Sequence, residues 1–343
     1  MRKVASVTQP ADAAAGRPFS ETKLGWILVL TATAVLLMSG CTLPSFSAVA
    51  ATTTVAPDAG PRLVIYAPAT PSSIPVIIAA RHMENTEITI FTNHSQAHTL
   101  FLRGDVTILV TGLSVGVEFF RSGVPVQVIN SYVSGLTYLV TAGRKVDSFG
   151  ELRGQEIYIP FEGSPIEEIT QFFVEQEGLT WKQDIKPINS SFLSSVELLK
   201  QGRVANVALP EPYVSLLEKQ QQVFVSLNYR QEWDALTGSA DGYPQVATFV
   251  RQDWAAAHPD LIAQFNDELV NALQIIEQDP AAAVEQTQAE LGFPLEVLLS
   301  SLQRTDFSLS ESGKMAQEIR RYYQIIGKPL DETFELFFYD HHQ

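Results

Sequence analysis

From residue 63 onward, apolar and polar positions alternate in short blocks whose spacing switches between strand and helix periods. Residues 63–66 form an apolar run with the length and character of a buried strand. A polar loop follows, punctuated by Pro68 and Pro71. Ser72 or Ser73 can cap the next helix, whose first turn admits Pro75 because an N–H there would have no helical partner. The pattern then predicts a strand over 87–91 ending at Thr92-Asn93-His94, and a short helix over 95–102 stopped by Gly104. A third strand over 105–110 runs into Thr111-Gly112-Leu113-Ser114, and a helix over 115–121 closes at Ser122-Gly123. Two further strands, 124–131 and 136–142, flank Gly135.

A second block repeats the device. After a turn-rich connection at 147–154, a strand at 155–160 leads through Phe161-Glu162-Gly163-Ser164-Pro165 into a helix over 166–176, ended by Gly178. A strand at 185–188 leads into a loop at 189–192 and a helix over 193–201. A strand at 204–209 finishes in Pro210-Glu211-Pro212-Tyr213. Residues 224–227 read as a strand, 234–243 as a polar loop and 245–251 as a returning strand. The remainder is helical: 254–257, 259–278, 280–291, 294–302, 311–326 and 330–338, with 306–310 a short cap before Glu311. Strands alternating with helices of this length imply parallel βαβ units. In open α/β sheets the loops between a strand's end and the next helix lie on one side, where ligands sit.

At 343 residues and 45% hydrophobic, the chain can bury one large core or two lobes. Its net charge is −15. Residues 1–41 carry +2, which leaves −17 on the rest and argues against nucleic acid as a partner. Those first residues resemble a bacterial lipoprotein signal: a basic region ending at Lys23, an apolar run over 24–38, then Met38-Ser39-Gly40-Cys41. The resemblance implies cleavage before Cys41 and lipidation of its thiol. The Ala-, Thr-, Ser- and Pro-rich stretch 42–61 reads as a flexible tether. Cys41 is the sole cysteine, so no intrachain disulfide braces the body.

The order of several short stretches carries a second resemblance. They are Pro71-Ser72-Ser73-Ile74-Pro75, Phe91-Thr92-Asn93, Leu102-Arg103-Gly104-Asp105-Val106, Gly123-Val124-Pro125-Val126, Phe149-Gly150-Glu151-Leu152-Arg153-Gly154, Lys200-Gln201-Gly202-Arg203 and Leu209-Pro210-Glu211-Pro212. The chain resembles the substrate-binding proteins of ABC importers in the nitrate, sulfonate, taurine and thiamine-precursor group, clearly over about 63–227. The resemblance implies an α/β, two-lobed periplasmic-binding-protein type II fold, with ligand in the inter-lobe cleft and a helical C-terminal region. Lobe 1 would hold 61–139 and 224–343, lobe 2 would hold 140–223, and the crossings would lie near 138–142 and 209–224. Such a protein binds by closing, so both lobes must supply contacts.

The candidate ligand residues on these loops are Ser72, Ser73, Asn93, Thr111, Ser114, Glu162, Gly163, Ser164, Phe192, Glu211 and Tyr213. The serines and Thr111 can donate hydrogen bonds or cap helices, and Gly163 permits close backbone approach. The carboxylates of Glu162 and Glu211 disfavour an anion and lean toward a heterocycle with N–H groups, such as a pyrimidine. Asn93 could bond a ring edge, while Phe192 and Tyr213 could stack on its face or pack in the core. His94 and His98, four apart, lack further ligands at metal spacing, and neither a metal nor a cofactor is expected. No nucleophile elbow or Gly-rich phosphate loop is present, so an enzyme is not expected. The function expected is an extracytoplasmic, lipid-anchored, monomeric solute-binding protein that delivers a small molecule to an ABC permease and ATPase. The alternatives are an enzyme on the same fold, of pyrimidine-precursor synthase or menaquinone-pathway lyase type, and a surface sensor or adhesive lipoprotein without transport.

Overall fold

The computed structural model describes residues 60–340. The expected export signal, Cys41 and residues 42–59 of the expected tether lie outside them. The described chain opens with β1 (Leu63–Pro68), α1 (Ser73–Arg81), β2 (Thr86–Phe91), α2 (His94–Arg103), β3 (Ile108–Gly112), α3 (Leu113–Arg121) and β4 (Val126–Gly135). The second block is β5 (Thr137–Ala142), β6 (Glu156–Ile159), α4 (Pro165–Gln176), β7 (Lys186–Asn189), α5 (Phe192–Lys200), β8 (Asn206–Pro210), β9 (Val223–Asn228) and α6 (Tyr229–Thr237). Then come β10 (Val246–Arg251), α7 (Gln252–Ala257), α8 (Pro259–Gln278), α9 (Pro280–Leu291), α10 (Leu295–Leu302), β11 (Asp306–Ser310) and α11 (Ser312–Ile325), with a final 3-10 turn at Glu332–Phe337.

Two mixed sheets result. In the first, the order is β2-β1-β3-β10-β4-β11, with β1 parallel to β2 and β3 and with β10 and β11 antiparallel to their neighbours. In the second, the order is β7-β6-β8-β5-β9, with β6 parallel to β7 and β8 and with β5 antiparallel to both its neighbours. The two sheets share one ordering: three parallel strands joined through helices, then a strand arriving from elsewhere. This is the two-lobed α/β architecture that the resemblance implied.

Local chemistry explains most boundaries. Asn93 caps α2 by accepting from the Gln96 N–H at 3.1 Å, and Gly104 ends it at φ 84°. Ser164 caps α4 by accepting from the Glu167 N–H, and Pro165 occupies the first helical position. Ser72 and Ser73 do not cap α1 through their side chains. The Ser72 hydroxyl bonds Thr70 Oγ1 at 2.7 Å, and the Ser73 hydroxyl donates to the Pro68 carbonyl. Helix α1 is buried from Ser73 to Ala80, because the sheet covers one side and α8 and α9 the other. Within this layer Asn266 of α8 accepts from Asn130 and donates to Glu311, each at 2.7 Å, so its buried amide is satisfied.

Three expectations are corrected. Residues 306–310 are not a cap but the edge strand β11, paired antiparallel to β4. The polar loop expected over 234–243 begins as α6, started by Asn228 accepting from the Arg230 and Gln231 N–H groups and ended by Gly238 in left-handed conformation. The crossings lie elsewhere than at 138–142 and 209–224. Strand β5 belongs wholly to the second sheet, and so does β9, which the expected boundary at 224 assigned to the first lobe. The chain passes between sheets at Leu136 and again over 238–245. A strand's own alternation shows which face is buried, not which sheet receives its hydrogen bonds.

The two crossings touch. The Tyr243 and Gln245 N–H groups donate to the Ser134 and Val133 carbonyls at 3.3 and 2.9 Å. Gly135 is obligatory there, since a Cβ would stand 2.9 Å from both Arg230 Cβ and Asp306 Oδ2. Among the described residues, no helix is long and apolar enough to cross a membrane.

Candidate functional site

Strand ends from both sheets meet at one cleft. The first lobe contributes Pro68 at the end of β1 and Thr70 beyond it, His94 at the start of α2, and Thr111 at the end of β3. The second contributes Phe161 and Ser164 before α4, Phe192 at the start of α5, and Pro210 ending β8. Leu136 and Gln245 of the crossings form the floor. The cavity measures about 60 Å³. A larger cavity of about 120 Å³, lined by Trp233, Asp241 and Arg321 among others, lies beside the second crossing. Larger cavities lie elsewhere, but the 60 Å³ one is walled by the carboxyl ends of strands from both sheets, at Pro68, Thr111 and Pro210, and the fold's rule for ligands selects it.

One wall is aromatic. The His94 imidazole stands edge-to-face with Phe91 at 5.1 Å and with Phe192 at 5.8 Å, and is tilted on Phe161 at 5.6 Å. Burial pushes His94 down to about 4. Burial, with His94 adding a smaller effect, does the same to His98. Both rings are therefore neutral at pH 7. His98 Nε2 lies 3.2 Å from Thr111 Oγ1. On the floor, Gln245 Nε2 donates to Thr137 Oγ1 at 2.5 Å while its Oε1 accepts from the Leu136 N–H, tying the two crossings together.

The lobes meet around this cavity. The Ser114 hydroxyl donates to the Gly163 carbonyl at 3.1 Å. Gly112, which precedes α3, packs against Pro165 of α4 so closely that a side chain would not fit. At the rim, Glu168 of α4 accepts from Tyr322 Oη at 3.1 Å and Lys328 Nζ at 3.2 Å. Arg304 reaches Glu211 at 3.5 Å and also bonds Glu218.

Of the residues singled out by sequence, Thr111, Ser164 and Phe192 line the cleft. Ser114 and Gly163 bridge the lobes. The rest lie elsewhere. Ser72 and Ser73 are fully buried and bonded within their own loop. Asn93 is exposed and spends its side-chain carbonyl on the cap. Glu162 points to solvent, 74% exposed, paired with Lys182 at 2.8 Å. Glu211 is buried, accepting from the Ser215 N–H at 3.1 Å, and desolvation pushes its carboxyl up. Tyr213 is core, packed between Phe192 at 4.8 Å and Phe293 at 5.6 Å. Sequence reasoning missed Thr70, His94, Phe161 and Gln245 as lining groups. The signal for His94 was present, since it follows a strand end as Thr111 does, but its spacing from His98 directed attention to metals. Among the described residues no three His, Cys, Asp or Glu side chains are placed to hold a metal ion.

No family model and no curated protein matches the sequence. Solved structures do. The periplasmic aliphatic sulphonate-binding protein of Escherichia coli superposes with a TM-score of 0.65 at 16% identity, covering 78% of this chain and 92% of its own. A Candida albicans protein described as having the generic periplasmic binding protein fold gives 0.62 at 14%, covering 81% and 96%. The periplasmic nitrate-binding protein of Synechocystis gives 0.60 at 14%, covering 75% and 74%. At such identities the likeness is one of fold. The chain has the two-lobed type II periplasmic-binding-protein fold.

Proposed function

We propose that this chain is the extracytoplasmic solute-binding component of an ABC importer, a monomer held to the membrane by a lipid on Cys41. The observation that carries the reading is the cleft at the carboxyl ends of strands from both sheets, walled by both lobes and flanked by hydrogen bonds that join them. A solute that touches both walls favours the closed state over the open one, and a membrane permease with its ATPase can then read closure. The sulphonate- and nitrate-binding neighbours support this reading, as does the export signal.

The cleft holds parts for gripping rather than transforming. Among the described residues no charged side chain lines it, and no carboxylate joins Thr111 and His98 to orient the ring as a base. The pyrimidine lean loses half its ground, because Glu162 and Glu211 are engaged outside the cavity. Its aromatic half, Phe192, remains.

The test is to denature purified protein and identify the released solute by mass spectrometry. That solute, added back, should raise the melting temperature and reduce the radius of gyration. If no small molecule does either, the binding role fails. Uptake of the solute by cells with and without the gene separates transport from sensing.

A further inference from the structure

We propose that the cavity beside the second crossing is an accessory site for a small zwitterion of the α-amino-acid class, and that its occupancy tightens cargo binding in the cleft. The second half rests on the solute-binding reading; the first does not.

Charge is the first argument. Asp241 of the crossing and Arg321 of α11 both line this cavity. Among the described residues neither side chain forms an ion pair or a hydrogen bond, and both residues are exposed. Neighbouring charges, by contrast, are spent. Arg230 bonds Asp306 and the Ala240 carbonyl and lies 3.6 Å from Asp234, which accepts from the Gly242 N–H at 3.0 Å. Opposite charges that share a cavity without pairing leave a gap that a ligand carrying both signs can bridge. The guanidinium offers a planar fork to a carboxylate. Asp241 faces the ammonium, and Glu318, three residues before Arg321 on the same helix face, adds a second carboxylate.

Shape is the second. The rings of Trp233, Tyr243 and Tyr322 wall the cavity and pack on one another, with Trp233 5.6 Å from Tyr243 and 5.3 Å from Tyr322. Such rings attract an ammonium group. A cavity of about 150 Å³ accommodates benzene, so about 120 Å³ suits a molecule of alanine's size.

The coupling follows from the walls. Glu318 and Arg321 belong to α11 of the first lobe, Asp241 to the crossing, and Trp233 to α6, which follows the second sheet. Trp233 also packs on Phe172 of α4 at 5.6 Å, and Tyr322 donates to Glu168 of the same helix. Helix α4 begins at the cleft, where Ser164 lines the cargo cavity. The accessory cavity is therefore shaped by the arrangement in which the lobes touch, and a molecule that fits it favours that arrangement.

Calorimetry and thermal shift on the intact protein test the site with L-alanine, L-alaninamide and propionate. L-Alanine should bind and stabilise, and the two analogues, each lacking one charge, should bind about five-fold more weakly or worse. Arg321→Gln and Asp241→Asn should each lose L-alanine binding while keeping the ligand-free melting temperature. In the wild type the Trp233 indole resonance should shift on adding L-alanine, and in Arg321→Gln it should not. L-Alanine should tighten the released cargo about five-fold or more, and saturating cargo should tighten L-alanine by the same factor. No L-alanine binding, binding that survives both variants, or an unmoved Trp233 resonance overturns the site. Equal binding of either analogue overturns the ligand class. Equal cargo affinity with and without L-alanine overturns the coupling alone. If no cargo is found the solute-binding role and the coupling fall together, while the L-alanine, variant and Trp233 readouts still decide the site.

Discussion

Replacing Gly112 with alanine puts a methyl group where the lobes touch. The new Cβ would stand 2.9 Å from Pro165 Cδ and 3.3 Å from Pro165 Cβ, with Cγ nearer still. Carbon atoms rest about 3.5–4.0 Å apart, so the lobes must part by roughly 1 Å or more. That carries the Ser114–Gly163 hydrogen bond from 3.1 Å past the ~3.5 Å limit of useful geometry. Overpacking costs about 1–3 kcal/mol and the lost bond about 1 kcal/mol. The closed state is therefore disfavoured by about 2–4 kcal/mol, and cargo affinity should fall about 30- to 700-fold. The backbone at Gly112, φ −65° and ψ 143°, suits alanine, and the small capping penalty acts on open and closed states alike. The assay is calorimetric titration with the released solute, paired with small-angle scattering at saturation, where the variant should stay more open. Gly116→Ala is the contrast. Its Cβ would meet Phe249, with Cδ1 at 2.6 Å, inside one lobe, so melting temperature should fall instead. Wild-type affinity and compaction in Gly112→Ala would refute the account of closure.

Other outcomes follow from the same contacts. Glu168→Ala leaves the buried Tyr322 hydroxyl without its acceptor in the closed state, a cost of about 1–3 kcal/mol. Affinity should drop about 5- to 150-fold by titration, with little change in the unfolding midpoint. His94 and His98 titrate near 4 when folded and near ~6.5 when unfolded, so between these values the unfolded chain holds more protons. Their stability contribution is complete above about pH 6.5 and is lost as pH falls toward 4, by about 3 kcal/mol per ring. The raised carboxyl of Glu211 runs the other way. Urea midpoints across this window should therefore show a shallower pH slope in His94→Phe than in wild type. Tyr132→Phe removes the bond its hydroxyl donates to the Ser72 carbonyl at 2.8 Å and should cost about 1–2 kcal/mol by urea unfolding without altering which solutes bind. Cys41→Ser should move the protein from the detergent phase to the aqueous phase on partition, with loss of the lipid mass.

Much of the element order was legible because local chemistry encodes it. Pro165 at a helix start and Gly104 at a helix end are decided within four or five residues. Site residues fared differently. Thr111 and Ser164 line the cleft because they sit at or just after strand ends, a place the pattern marks. Glu162 sits at such a place too, yet Lys182, 20 residues on, draws it outward. Glu211 is drawn to Ser215 and toward Arg304, which joins it from the far end of the chain. No local rule reports such partners. Gln245 looked like the first residue of a strand and became the clasp between two crossings, because Leu136 and Thr137 arrive beside it from over a hundred residues away.

The sequence by itself determined the alternation of strands and helices, the repeat of that alternation in two blocks, and which faces are apolar. These depend on periodicity and on residues near in the chain. Tertiary structure alone decided that β9 joins the second sheet, that 306–310 is a strand, where the chain crosses, and which side chains are left facing the cavity. Those outcomes depend on pairing between distant segments, where a hydrogen bond or a charge goes to whichever partner folding delivers.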